Sequence, residues 1–170
     1  MLCIKITRPG SPHTWQFVGV YQHVAKRANR TARALVRDAL TGVIDRAQKD
    51  GHRVAILGDF NAAPPGGRWG YSKWSATTAE DQTMNEWLQA TRLTETLYHG
   101  KPFPTWKPSE GPQAAALDRV FTNHESLSSL ELSIEWNNSL VFDHALLTLR
   151  IQHSLIAVSY THLTLPTNRE

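Results

Sequence analysis

The sequence predicts a layered α+β domain, and three observations carry that reading. Residues 15–21 are rich in aromatic and β-branched side chains as a strand is, residues 29–49 repeat apolar residues at helical spacing, and Val54, Ala55, Ile56 and Leu57 form an unbroken apolar run that reads as a buried strand. Strand, helix and buried strand in succession suit a sheet layered with helices. The 170 residues, 41% of them hydrophobic, are enough for one domain with a core of ordinary size.

Each element has its own signals. Residues 2–7 alternate loosely, and Arg8, Pro9, Gly10, Ser11 and Pro12 make a turn. In the strand at 15–21, Trp15, Phe17, Gly19 and Tyr21 share one face, so Tyr21 is either the last core aromatic or a group presented at the strand end. The helix over 29–49 carries Ala32, Leu35, Val36, Ala39, Leu40, Val43, Ile44 and Ala47, with Asn29 or Thr31 as cap and Gly51 as stop. Arg30, Arg33 and Arg37 fall on the opposite side and read as a solvated basic face, with phosphate binding as the alternative.

After the buried strand, Ala62, Ala63, Pro64, Pro65, Gly66 and Gly67 open a loop, and 68–74 is rich in aromatics and cations. Those aromatics either anchor the loop locally or stack on bases while the cations meet phosphate. Thr78 or Asp81 opens a second helix to about residue 90, with Met84, Trp87 and Leu88 inward, and a short strand follows at 93–97. Residues 101–108 hold three prolines and cannot lie inside a sheet. A strand at 114–121 contains Asp118 and Arg119. An acid in an apolar run needs a partner, and since Arg119 points to the other face, a histidine from elsewhere is the better one. Strands at 130–136 and 145–151, with a turn at Asn137, Asn138 and Ser139, complete the order.

The chemistry concentrates where the buried strand ends. Alternation puts Asp59 and Asn61 on one face and turns Phe60 to the core. A carboxylate and a carboxamide at the C-terminal mouth of a buried strand suit a hydrolytic site; a strand-ending Asx turn is the plainer reading. A net charge of +3 is compatible with a phosphate-bearing partner. The single cysteine, Cys3, excludes an intramolecular disulfide and a cysteine-cluster zinc site. No segment reaches the roughly 18 consecutive apolar residues that span a membrane, and no basic-then-apolar export signal opens the chain. The expected location is intracellular, nuclear or cytoplasmic, with no membrane partner.

Gly58-Asp59-Phe60-Asn61 resembles the signature of the endonuclease/exonuclease/phosphatase superfamily, the DNase I-like metal-dependent phosphoesterases. Val20-Tyr21, Leu117-Asp118-Arg119-Val120-Phe121 and Phe142-Asp143-His144 are similar to three further motifs, in the family's order. The likeness covers about residues 15–151, the second part of the family's fold. It implies an incomplete DNase I-like β-sandwich flanked by helices over 1–157, its N-terminal part missing. It also implies catalytic roles for Asp59, Asn61, His144, Asp118 and Tyr21, and metal ligation by Asp143 and Asp59 to Mg²⁺ or Mn²⁺. Trp106, Trp69 and Arg68 would contact substrate. In that scheme Asp59 orients and deprotonates a water, His144 donates to a phosphate oxygen, and Asp118 supports the imidazole.

Three departures qualify the resemblance. The Asn and Glu metal ligands of the family's first third have no counterpart here, Phe142 replaces a small polar residue, and His23 stands where a proline follows the tyrosine. Tyr21 and the Trp69-Gly70 loop lean toward the apurinic-type endonuclease domains of non-LTR retroelements, with DNA as partner and the missing N-terminal part of the same polyprotein completing the site. Relatives acting on inositol phosphate, lipid or nucleotide share the same motifs, and a catalytically dead binding module would keep the scaffold. The resemblance further implies weak or no turnover by this chain alone and an exposed apolar sheet face prone to aggregation. Residues 158–170 resemble translated library-adapter sequence and are set aside as a non-native, disordered tail in which Tyr160 and His162 have no function.

Overall fold

Two parallel strands with a helix crossing between them set the frame, in a computed structural model that describes residues 1–7, 14–24, 26–71, 76–123, 130–136 and 143–151. Strand β1 (Leu2–Thr7) lies antiparallel to β2 (Thr14–Tyr21), and β2 is joined through helix α1 (Arg30–Lys49) to β3 (Arg53–Asp59), which runs parallel to it. The short β4 (Arg68–Trp69), helix α2 (Ala79–Ala90), β5 (Thr94–Glu95), β6 (Ala114–Ala115), β7 (Asp118–Thr122), β8 (Leu130–Glu135) and β9 (Leu146–Ile151) follow. One sheet has the order β1-β2-β3-β7-β5, with β7 antiparallel to β3; β4 pairs with β6, and β8 pairs antiparallel with β9. The turn expected at 8–12, that at 137–139, and the 157/158 boundary with its tail lie outside the described residues.

The apolar run of β3 is continuous because both faces of the strand are covered. Val54 and Ile56 join Val18, Val20, Phe60 and Phe121 against Leu40, Val43, Ile44 and Ala47 of α1 and Met84 and Leu88 of α2. Ala55 and Leu57, with Val120, Trp15 and Phe17, face Leu130, Leu132 and Ile134 of β8 and Leu147 and Leu149 of β9. The result is three layers: helices, main sheet and a two-stranded sheet. At the edge, Leu2 and Ile4 of β1 remain 56% and 44% exposed, so the apolar face carried on from β2 lies open there, as expected.

Gly58 sets the spacing of the central pair. Its φ is +140°, and a Cβ there would lie 2.0 Å from the Val20 carbonyl oxygen on β2. Only a residue without a side chain lets the two backbones approach so closely. The second helix opens on Thr78, whose hydroxyl accepts from the Asp81 N–H while the Asp81 carboxylate accepts from the Thr78 N–H, a reciprocal capping box.

Several expectations are corrected. Leu35 is 64% exposed and Ala39 also faces solvent, because the inward stripe of α1 runs Val36, Leu40, Val43, Ile44 and Ala47. The same stripe reaches Arg33 one turn earlier, which is fully buried rather than solvated. Arg37 is largely covered too and shares Glu80 with Arg33, leaving Arg30 exposed. Asn29 sits at the cap position without a side-chain capping bond, and Gly51, at φ +69°, follows the helix end. The strand expected at 114–121 is two strands. Ala116 and Leu117 break it, their backbone groups turned to the Gly67 carbonyl and the Phe60 N–H, so β6 belongs to the small sheet and β7 to the main one.

Candidate active site

The site grows from strand register. Tyr21 pairs with Asp59 across β2 and β3, and Asp59 pairs with Asp118 across β3 and β7. Two parallel strands therefore end, and one antiparallel strand begins, at a single rim. Tyr21 is 55% exposed there, which removes the core-aromatic alternative. Asp59 and Asp118 are buried, at 4% and 5%.

Beyond β3 the chain turns at Asn61, whose φ of 47° is the left-handed conformation that asparagine tolerates. The Asn61 N–H donates to Asp59 Oδ1 at 2.8 Å, so the plainer Asx turn does form. The side chain adds more. Asn61 Nδ2 donates to Asp59 Oδ2 at 2.9 Å and to the Gln22 carbonyl at 2.7 Å, tying the ends of β2 and β3 together.

His144 arrives from the other side. Its Nδ1 lies 2.7 Å from Asp118 Oδ2, the histidine partner that the buried acid demanded. The backbone at His144 and Ala145 is held by Thr105 and Trp106. The buried Thr105 hydroxyl accepts from the N–H groups of Leu117 (3.0 Å) and Asp118 (2.9 Å), and its carbonyl accepts from the Ala145 N–H at 2.7 Å. One residue thus fixes the backbone on both sides of the Asp118–His144 pair. Trp106 bridges Ala115 on one side and His144 on the other.

The remaining expected residues fall into two groups. Asp143 is exposed at the rim; its Oδ2 accepts from Trp106 Nε1 at 3.1 Å and its carbonyl from the Lys107 N–H at 2.9 Å. Trp106 therefore orients Asp143, and its ring packs on Ala63, Ala115 and Leu117. Trp69 pairs with Ala114 in β4 and is half-buried, with Tyr71 exposed beyond it. Arg68 is a correction. Its Nε and Nη2 form a fork on Asp81 at 2.7 and 2.8 Å, so the guanidinium serves the start of α2, a role the sequence reading did not give it. A nearly buried carboxylate holds a cation more firmly than an open rim does. That guanidinium, with the N–H groups of Thr78 and Ala63, outweighs burial and holds the Asp81 carboxyl below its usual range.

Electrostatics separate the two titrating groups. Burial first, and then the charge of Asp118, raise Asp59 to about 7, against the pull of His144, the Asn61 N–H and Arg33. Burial draws the His144 imidazole down, but the hydrogen bond and charge of Asp118, with Asp59 and Asp143, raise it to about 9. A carboxylate poised near neutrality beside a charged imidazole can take a proton and donate a hydrogen bond at one centre. Arg33 and the backbone-holding role of Thr105 are what motif reasoning missed. A threonine that binds only backbone leaves no spacing signal, while the inward stripe of α1 did point to position 33.

The donor set does not amount to a metal centre. Among the described residues no group of three histidine, cysteine, aspartate or glutamate side chains could hold an ion. Both oxygens of Asp59 are engaged by Asn61, and one oxygen of Asp143 by Trp106.

No family model and no curated protein matches the sequence. Solved structures do. The chain is similar to the endonuclease domain of TRAS1, a telomere-specific non-LTR retrotransposon, with 15% identity, a TM-score of 0.61, and coverage of 91% of this chain and 64% of that one. It is similar to the 3′ phosphatase NExo from Neisseria bound to product DNA hairpin, with 20% identity, a TM-score of 0.66, and coverage of 89% and 65%. A beta toxin mutant from Staphylococcus aureus with bound magnesium ions follows at 16% identity and a TM-score of 0.51, covering 87% and 56%. This chain spans less than two thirds of each of those structures. Likeness at these identities establishes the fold, which is DNase I-like.

Proposed function

We propose that this chain, a part of a DNase I-like fold, supplies the acid–base half of a phosphodiester hydrolase, and that the whole protein is an endonuclease acting on DNA. The observation that carries the reading is the pairing of Asn61 with Asp59 beside the pairing of Asp118 with His144 at one rim. The acid is held near 7 and the imidazole near 9. The solved TRAS1 domain and the DNA-bound NExo structure support DNA as the substrate class. The retroelement assignment rests on TRAS1 together with Tyr21 and the Trp69 loop, and action on DNA fits a nuclear or cytoplasmic location.

The chemistry follows from the side chains. Asp59, ionised above about 7, accepts the proton of the attacking water. Nδ1–H of His144 is committed to Asp118, which leaves Nε2–H to donate to a non-bridging phosphate oxygen as charge develops there. Asn61 holds the carboxylate in place, and Tyr21 stands exposed at the rim, able to meet the leaving oxygen. A divalent ion such as Mg²⁺ or Mn²⁺ would neutralise phosphate charge. Its ligands would have to be completed from outside the described residues, by the N-terminal part of the same polyprotein on this reading. The incomplete donor set also favours a second reading, a binding module that keeps the scaffold without turnover.

Plasmid nicking by the purified chain, with and without Mg²⁺, beside DNA binding tests these readings. Weak nicking that Asp59→Ala and His144→Ala abolish, with binding retained, is the expected result. Wild-type nicking by either variant overturns the proposed roles, and binding with no turnover at any metal concentration favours the module.

A further inference from the structure

Arg33 has an unusual place for a helix cation: its side chain is fully buried, under the two strand ends that carry the site. Nε donates to Glu80 Oε1 at 2.7 Å, Nη1 to the His23 carbonyl, and Nη2 to the Phe60 carbonyl at 3.2 Å. Gln22 Nε2 donates to the Arg33 carbonyl at 3.2 Å, closing the knot. The guanidinium is thus shared between one carboxylate and the chain just beyond β2 and β3.

The peptide between Phe60 and Asn61 shows what this does. Its carbonyl is taken by Arg33, and its N–H is taken by the Asp59 carboxylate at 2.8 Å. Pinned at both ends, the peptide plane cannot rotate, and Asn61 stays at φ 47°. On the β2 side, the Gln22 carbonyl that accepts Asn61 Nδ2 is adjacent to the His23 carbonyl that Arg33 holds. The backbone that carries Asn61 and the backbone that accepts its side chain are therefore both anchored next to one planar fork. A lysine, a single point charge without that fork, cannot span both carbonyls and Glu80.

We infer that Arg33 is a positioning residue for the active centre, holding Asn61 against Asp59 through the Phe60 and His23 carbonyls. The consequence for turnover rests on the proposed function; the positioning itself does not. Three variants separate positioning from plain stability. Arg33→Met removes the fork; Arg33→Lys keeps the buried charge and its Glu80 partner; Glu80→Gln weakens the ion pair and leaves the carbonyl bonds alone. Each is compared with the wild-type chain by heteronuclear NMR of the Asn61 backbone and side-chain amides, hydrogen exchange and thermal unfolding.

Both Arg33 variants are expected to speed exchange of the Asn61 backbone amide about tenfold and to shift its side-chain amide pair toward an unbonded position. Glu80→Gln lowers the melting temperature and leaves the Asn61 signals in place. Unmoved signals in Arg33→Lys overturn the inference, as does equal movement in Glu80→Gln, which would make Arg33 a structural ion-pair partner only. If Arg33→Met does not fold, Arg33→Lys decides alone. The amide signals report whether or not the chain cleaves DNA, so absent turnover strikes the proposed function and leaves this inference to its own readout.

Discussion

Asp118→Asn tests the electrostatic logic of the site most directly. Asparagine fills the same space but removes the charge that raises both Asp59 and His144. With the hydrogen bond and charge of Asp118 gone, burial opposes the imidazolium against Asp59 and Asp143 alone, so His144 should fall from about 9 to about its ordinary 6.5. That drop is a loss of about 3 kcal/mol in favour of the charged imidazole. Asp59 should fall as well, since Asp118 is the second cause of its rise. On the proposed mechanism the working form needs Asp59 ionised and His144 charged, so the wild-type profile should be a bell with limbs near 7 and 9. At about pH 8 the variant would retain roughly one-thirtieth of its imidazole in the charged form, so kcat/KM at that pH should fall about thirtyfold. Stability follows the same sign. A histidine raised in the folded state stabilises it fully below 6.5 and loses that contribution as pH rises through about 9, so the variant should lack this alkaline loss. An NMR titration of the His144 ring in both proteins is the assay. A variant imidazole still titrating near 9 would refute the reasoning, because some group other than Asp118 would then hold the charge.

Other perturbations have equally definite outcomes. Gly58→Ala places a methyl 2.0 Å from the Val20 carbonyl oxygen and should cost at least about 3 kcal/mol in denaturant unfolding by forcing β2 from β3. Phe60→Ala empties a fully buried site where the ring meets Phe121 edge-on at 5.0 Å; a loss of about 3–5 kcal/mol by the same measurement is expected. Ile4→Lys, on the open face of β1, should leave the melting temperature nearly unchanged and reduce aggregation measured by light scattering.

The frame and half of the site were legible in the sequence for different physical reasons. Residues 54–57 read as a buried strand because both faces are covered, and the Asp59–Asn61 pair is local, so its proximity was legible although a turn at Asn61, not alternation, makes it. The Asp118–His144 contact spans 26 residues, yet a buried acid with an unsuitable neighbour required a distant partner and a histidine was at hand. Arg33 went unread because a charge on a helix is ordinarily solvated, and the carboxylate that admits it to the interior lies 47 residues away. Thr105 and the break at Ala116 and Leu117 were hidden for another reason. Their bonds run to backbone groups, which every residue carries, so neither composition nor spacing marks them. Arg68 misled for the converse reason: a loop arginine beside aromatics looks free until the capping aspartate of α2 comes into reach.

Parallel pairing of β2 with β3 has a consequence for how such a protein can change. Because both strands finish at the same rim, the connections beyond His23 and Asn61 can lengthen, shorten or swap residues while the cross-strand ladder beneath stays in place. Among the described residues, the opposite rim, where Asn123 caps Val54 and His52, bears none of the groups gathered at the candidate site. If the proposed function holds, changes of substrate preference at one end of the sheet and changes at the other need never compete for the same residues.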